Sequence, residues 1–206
     1  AALNGTDIAL IDSGNDKLAT YRFDGSTWSE VGASTTISGA ASSDIAALNS
    51  TDVAFVDNII EELRTYRFNG SSWTQIGSGL PVAISDINTA GLTALNGTDV
   101  ALITDDLVDW LSVYRFDGSN WSQIGSKINI TNVGPALTTL NSTDVAFIDS
   151  SNDDLRTYRF NYTDDNTVKG PLAGDNALHS VTVVNASSTE FMGEGPSVAL
   201  NRGLEI

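Results

Sequence analysis

Three groups of residues in this chain have chemistry beyond packing. The first is a set of acidic loops: Asp12-Ser13-Gly14-Asn15-Asp16, Asp57-Asn58-Ile59-Ile60-Glu61-Glu62, Asp105-Asp106-Leu107-Val108-Asp109 and Asp149-Ser150-Ser151-Asn152-Asp153-Asp154. Hard oxygens clustered in a loop suit Ca²⁺, which takes roughly six to eight of them. Asp12, Asp16, Asp105, Asp109, Asp149 and Asp153 are the candidate ligands. The spacing differs between loops, however, and turn-favouring Asp and Asn explain the same residues without a metal. The second group is aromatic. Trp28, Trp73 and Trp121 recur in register, each able to stack on a ligand such as a sugar ring, and Trp110 stands outside that register in a widened loop. Several equivalent weak sites would give avidity. The competing account is that the repeated Trp seals packing. The third is His179, the single histidine. A catalytic histidine needs a partnered nucleophile or further ligands. None recurs near it, so a structural or surface histidine is expected.

Two further sets repeat. Arg22, Arg67, Arg115 and Arg159 share a period with Asp7, Asp52, Asp99 and Asp144, which points to one structural Arg–Asp contact per repeat, with anion binding as the minor alternative. Asn-x-Ser/Thr sequons occur at Asn4, Asn49, Asn69, Asn96, Asn120, Asn129, Asn141, Asn161 and Asn185. They carry glycans only if the chain passes through a glycosylating route.

All these residues ride on one repeated element. Tyr21-Arg22-Phe23-Asp24-Gly25-Ser26-Thr27-Trp28 returns from Tyr66 to Trp73 and from Tyr114 to Trp121. A fourth copy, Tyr158-Arg159-Phe160-Asn161, loses its Gly and Trp. The Tyr-to-Tyr spacings are 45, 48 and 44 residues. A second segment precedes each copy, from Ala2 to Asp12, Ala47 to Asp57, Ala94 to Asp105 and Thr139 to Asp149. Its marker Asn falls at 4, 49, 96 and 141, and Asn185 continues the series into a degenerate fifth repeat.

Each repeat reads as four short strands. In the second copy they are Ile45–Leu48, Asp52–Val56, Leu63–Phe68 and Trp73–Gly77. Asn-Gly and Asp-Gly predict the hairpin turns, the former with positive φ at both residues. Period-2 alternation puts Tyr66 and Phe68 on one face and Thr65 and Arg67 on the other. Four antiparallel strands per repeat of this length are the signature of a β-propeller blade. The expectation is an all-β propeller of about five blades in one domain over 1–206. The repeats run about 1–33, 34–79, 80–126, 127–170 and a degenerate 171–206. Neither end supplies an obvious closing strand, so ring closure is left open between a weakly closed ring, part of a larger propeller and a strand donated by another copy.

Across roughly residues 2–170 the chain resembles bacterial and phage-type propeller repeats, and is more distantly similar to tachylectin-type five-bladed lectins in repeat length and Trp content. The blades read Trp-Ser or Trp-Thr rather than Trp-Asp, and no Asp-x-Asp-x-Asp-Gly calcium loop is present. No site residue is carried over from that resemblance.

Composition narrows the partners. Twenty-six acidic residues face ten basic ones, a net charge of −16, and the lysines are only Lys17, Lys127 and Lys169. Such a surface repels phosphate backbones and anionic lipid. No nucleic acid and no membrane insertion are expected. There is no cysteine, hence no disulfide and no thiolate metal site. The first residue is Ala1 rather than Met, as in a mature product, an excised domain or an incomplete chain. With no distinct catalytic cluster, the sequence points to a non-enzymatic structural or adhesive propeller. Its setting would be extracellular, on a cell surface or on a virion. It would self-associate, as a filament or virion subunit exchanging strands between copies. The alternative is a glycan-binding lectin. No cofactor is expected, calcium being the ion the loops would suit.

Overall fold

A computed structural model describes residues 1–37, 44–57, 59–82, 91–104, 109–130, 133–149 and 154–160. Each repeat begins with an Asn because that side chain builds its first turn. Asn4 Oδ1 accepts the Thr6 and Asp7 backbone N–H groups at 2.8 and 2.9 Å, and Asn49 does the same for Thr51 and Asp52 at 2.9 Å. Neither the Asn nor the residue after it has positive φ, at odds with the Asn-Gly hairpin expected from sequence. The side-chain carbonyl does the turning, so Ser50 and Ser142 serve as well as Gly5 and Gly97. The second turn, Asp-Gly or Asn-Gly, does need its glycine: Gly25, Gly70 and Gly118 sit at φ 98°, 93° and 97°.

Strands follow the repeat. Blade 1 holds β1 (Asp7–Asp12), β2 (Lys17–Phe23), β3 (Trp28–Glu30) and β4 (Thr35–Thr36), the last two both pairing with β2. Blade 2 runs β5 (Ile45–Ala47), β6 (Asp52–Asp57), β7 (Glu62–Phe68) and β8 (Trp73–Pro81) in spatial order. Blade 3 repeats it with β9 (Gly91–Ala94), β10 (Asp99–Thr104), β11 (Asp109–Phe116) and β12 (Trp121–Ile130). Blade 4 shows β13 (Val133–Thr139), β14 (Asp144–Asp149) and β15 (Asp154–Arg159). All neighbours in these sheets are antiparallel. The first strands β5, β9 and β13 lie side by side and line the axis.

This is a β-propeller, with four blades among the described residues rather than about five. The degenerate fifth repeat lies outside them. The fourth strands also run further than expected. After a bulge opposite Arg64, β8 resumes pairing through Leu63–Leu80 and Glu62–Pro81.

The blades stack by one rule. Alternation gives every blade a leading face of large side chains and a trailing face of small and branched ones. Val53, Phe55, Tyr66, Phe68 and Trp73 of blade 2 pack on Ala9, Ile11 and Leu18 of blade 1. Val100, Leu102, Tyr114, Phe116 and Trp121 of blade 3 pack on Ala54, Val56 and Leu63 of blade 2. Val145, Phe147, Tyr158 and Phe160 of blade 4 pack on Ala101, Ile103 and Leu111 of blade 3. The outer strands add a close backbone approach. A Cβ on Gly77 would stand 2.3 Å from the Ser119 carbonyl oxygen, which instead accepts the Ser78 N–H at 2.8 Å.

Trp121 Nε1 donates across the second interface to Thr65 Oγ1 at 2.9 Å. At the same register in the first interface, Trp73 Nε1 and Thr20 Oγ1 are both buried and make no hydrogen bond. Thr65→Val should therefore cost about 1–3 kcal/mol by orphaning a buried indole N–H, while Thr20→Val should be near neutral. Urea unfolding of the two variants checks this; equal losses would contradict it.

Candidate functional site

The two ends of the propeller differ in chemistry. At the end bearing the Asn turns, each blade closes a saturated network. Arg67 Nε and Nη2 both donate to the Asp52 carboxylate at 2.7 Å, while Asn49 Nδ2 and Thr51 Oγ1 donate to it at 3.1 Å. The fork recurs as Arg22–Asp7, Arg115–Asp99 and Arg159–Asp144 at 2.6–2.9 Å. It joins the second strand to the third within a blade, the register pairing Asp52 with Arg67. Arginine hydrogen bonding holds Asp7 far below the usual carboxylate range and brings Asp144 to about 2. Burial works against the charge of Asp52 and Asp99, yet the Arg, Asn and Thr donors still hold both below the usual value. This is the structural contact foreseen from the shared period.

At the opposite end lie the acidic loops. Asp12 closes its own turn, accepting Gly14 N–H at 3.0 Å and Asn15 Nδ2 at 2.7 Å. Asp16 takes a left-handed backbone, φ 52°. Asp109 is buried and accepts the Val133 N–H at 3.0 Å. Asp57 and Asp149, both buried, face Arg64 and Arg156. Asp105 and Asp153 lie outside the described residues. Of the described candidates, Asp12 is thus engaged by its own turn, Asp109 by the start of β13 and Asp149 by Arg156. Among the described residues no three acidic or histidine side chains converge on one point.

Of the aromatic candidates, Trp73 and Trp121 are only 4% and 5% exposed, sealed in blade interfaces, whereas Trp28 is 50% exposed. Trp110 carries Lys127 Nζ over its ring at 4.1 Å. Among the sequons, Asn4, Asn49, Asn96 and Asn141 spend both side-chain atoms on the Asp network. Asn69 shapes the outer turn. Asn120 and Asn129 are exposed, and His179, Asn161 and Asn185 lie outside the described residues.

One residue was overlooked in the sequence. Asp44 immediately precedes β5, the innermost strand of blade 2, at the acidic-loop end of the axis. Its Oδ2 accepts the Leu92 N–H of blade 3 at 3.3 Å. Partial burial against the neighbouring blade pushes its carboxyl up from the ordinary value, and the Leu92 bond only partly offsets this. The carboxylate still reaches solvent. Its neighbours Ser43 and Ile45 make it look like any strand-flanking Asp. The signal available was that no other copy has a carboxylate just ahead of its first strand.

No protein-family model matches the sequence, and no curated protein does. Solved structures do. One, from Bacteroides uniformis ATCC 8492, is described as a "putative 6-phosphogluconolactonase"; it shares 11% identity at a TM-score of 0.61, over 76% of this chain and 48% of its own. A second with the same description, from Bacteroides fragilis NCTC 9343, shares 8% identity at a TM-score of 0.56 over the same fractions. The chain spans about half the length of these structures. At such identity the likeness is one of fold. It nevertheless corrects two expectations, a non-enzymatic structural or adhesive propeller and, as its alternative, a lectin. Similar propellers carry an enzyme's description, and the axis is not lined by inert residues alone, because Asp44 stands at its mouth.

Arg67→Ala leaves a desolvated Asp52 with only its Asn and Thr donors. A lower urea midpoint is expected, with Arg67→Lys recovering only part of the loss because Lys cannot supply the fork. Unchanged urea unfolding would sink this assignment. Acid should act through the same forks. The folded pKa of Asp144, about 2, lies below its ordinary value of 3.8. Its contribution is therefore complete above the ordinary value and is lost as pH falls through the folded one. Thermal unfolding midpoints should drop across that interval, and less steeply in Asp144→Asn; a flat profile in the unsubstituted protein would contradict the assignment.

Proposed function

We propose that this chain is part of a propeller enzyme that hydrolyses a small polar lactone, with Asp44 as the proton-transfer group. The observation that carries the proposal is a solvent-reaching carboxyl at the mouth of the axis, held between two blades with its pKa raised. Lactone hydrolysis requires a water to lose a proton as it attacks the ring carbonyl, and the departing ring oxygen to gain one. A carboxyl tuned upward serves both steps in turn, as base and then as acid. The description of the similar structures supports the lactone class.

Charge refines the substrate. A net charge of −16 gives a field that opposes an approaching phosphorylated sugar. Among the described residues, Arg64 and Arg156 at this end are engaged by carboxylates. An uncharged lactone fits this surface better than a phosphorylated one.

The test is a panel of neutral and phosphorylated sugar lactones followed by proton release. Neutral lactones should turn over faster. Asp44→Asn should lower kcat about a hundredfold or more, with the unfolding midpoint unchanged. No hydrolysis of any lactone above the buffer rate would overturn the proposal, and so would full activity in Asp44→Asn.

A further inference from the structure

A cavity of about 510 Å³ opens on the leading face of blade 1, with Leu10, Asp12, Lys17, Ala19, Tyr21 and Glu30 in its wall. Its size is that of a small-molecule site. The other blades show how it arises. In blade 2 the same place holds Arg64, set opposite Phe55 in register, with Nη1 3.3 Å from the Asp57 carboxylate. Blade 4 repeats this with Arg156, opposite Phe147 and paired with Asp149. Blade 3 has neither partner: Ser112 stands opposite Leu102, and Thr104 ends β10 where the acid would be. Among the described blades, only blade 1 keeps the acid and omits the arginine. Asp12 ends β1 as Asp57 ends β6, but the residue corresponding to Arg64 is Ala19, opposite Leu10. Ala and Leu, where blades 2 and 4 carry Arg and Phe, leave the space open.

The rest of the wall carries charge. Glu30 stands opposite Tyr21, whereas the neutral Gln75 and Gln123 stand opposite Tyr66 and Tyr114. Blade 1 thus adds an anion where the other blades have an amide. The turn bonds of Asp12 leave room for a cation. Asp57 shows this directly: its Oδ1 accepts the Ile59 N–H at 3.1 Å while its Oδ2 meets Arg64. Asp12 accepts its turn bonds from Gly14 and Asn15, and a carboxylate has about four acceptor sites. Lys17 is the remaining charge. It stands opposite Asp12 and acts on it as a nearby cation, without an ion pair between them. Its ammonium is left for an anionic group.

We infer that this cavity binds a small guanidinium compound that also bears a carboxylate, of the class of free arginine. The guanidinium takes the place that the Arg64 and Arg156 head groups fill in blades 2 and 4, against Asp12 and Glu30. The carboxylate meets Lys17. A guanidinium suits the place better than an ammonium, because its planar fork engages two acceptors at once. The inference stands on the comparison between blades and does not depend on the lactonase proposal.

Calorimetric titration of the whole chain with arginine, agmatine and citrulline tests it. Arginine should bind saturably. Citrulline, whose ureido group carries no charge, should bind about tenfold or more weakly, the loss of a charge-assisted pair. Ala19→Arg rebuilds from within the pairing of blades 2 and 4. It should abolish arginine binding while the urea midpoint stays at or above that of the unsubstituted protein. Glu30→Gln, which installs the residue of blades 2 and 3 at an exposed position, should weaken arginine without loss of folding. Lys17→Met should weaken arginine but not agmatine, which has no carboxylate. Absence of saturable arginine binding would overturn the inference. So would citrulline binding equal to that of arginine, undiminished binding in a folded Ala19→Arg or in Glu30→Gln, or a Lys17→Met variant that binds arginine unchanged.

Discussion

Each interface among the described residues buries a leading face of rings and large aliphatics on a trailing face of Ala, Leu, Ile and Val. The asymmetry is what lets blades wedge around an axis. Rings sit toward the outer strands, where blades diverge, as in the tilted Phe68–Trp73 and Phe116–Trp121 pairs. Small residues such as Ala46 and Ala54 sit inward, where blades converge. A flat sheet of one residue size could not fill such a tapered space at the density of a protein interior.

Within a blade, the second and third strands must keep their register, because a slip of one residue would exchange the two faces. The Arg–Asp fork pins that register at one end. It costs little conformational freedom, since Asn, Thr and Asp of the same turn converge on it. The network is local, with its partners fifteen or sixteen residues apart in sequence. It is therefore repeated intact in all four blades, including the one that has lost its Trp. Among the described residues the opposite end shows no such repeated fork, and its loops vary in length and charge in the sequence. Constancy at one end and variation at the other is the pattern of a scaffold that stabilises one rim and varies the other.

The lone Asp44 belongs to the variable end. Its character rests on position: the same residue type in the loop of blade 1, Asp12, does turn work. The difference lies in the neighbouring blade, whose Leu92 amide reaches the carboxyl. Packing of blades that are far apart in sequence converts an ordinary aspartate into a candidate acid–base group. The same packing withdrew Trp73 and Trp121 from the surface and left Trp28 there.

The sequence by itself determined the blade. Its period, strand order, faces and Arg–Asp pairing are all written within fifty residues, and local hydrogen bonding and alternation are enough to read them. It also showed the loss of the Gly and Trp after Asn161. Tertiary structure decided what lies between blades. The Asn turn proved to be a side-chain turn with ordinary φ. The burial of two of three equivalent tryptophans and the axial place of Asp44 depend on which face meets which neighbour. Identical motifs carry identical local information, and only stacking distinguishes the first copy from the second. For that reason the residues most alike in sequence, Trp28 and Trp73, ended in opposite environments.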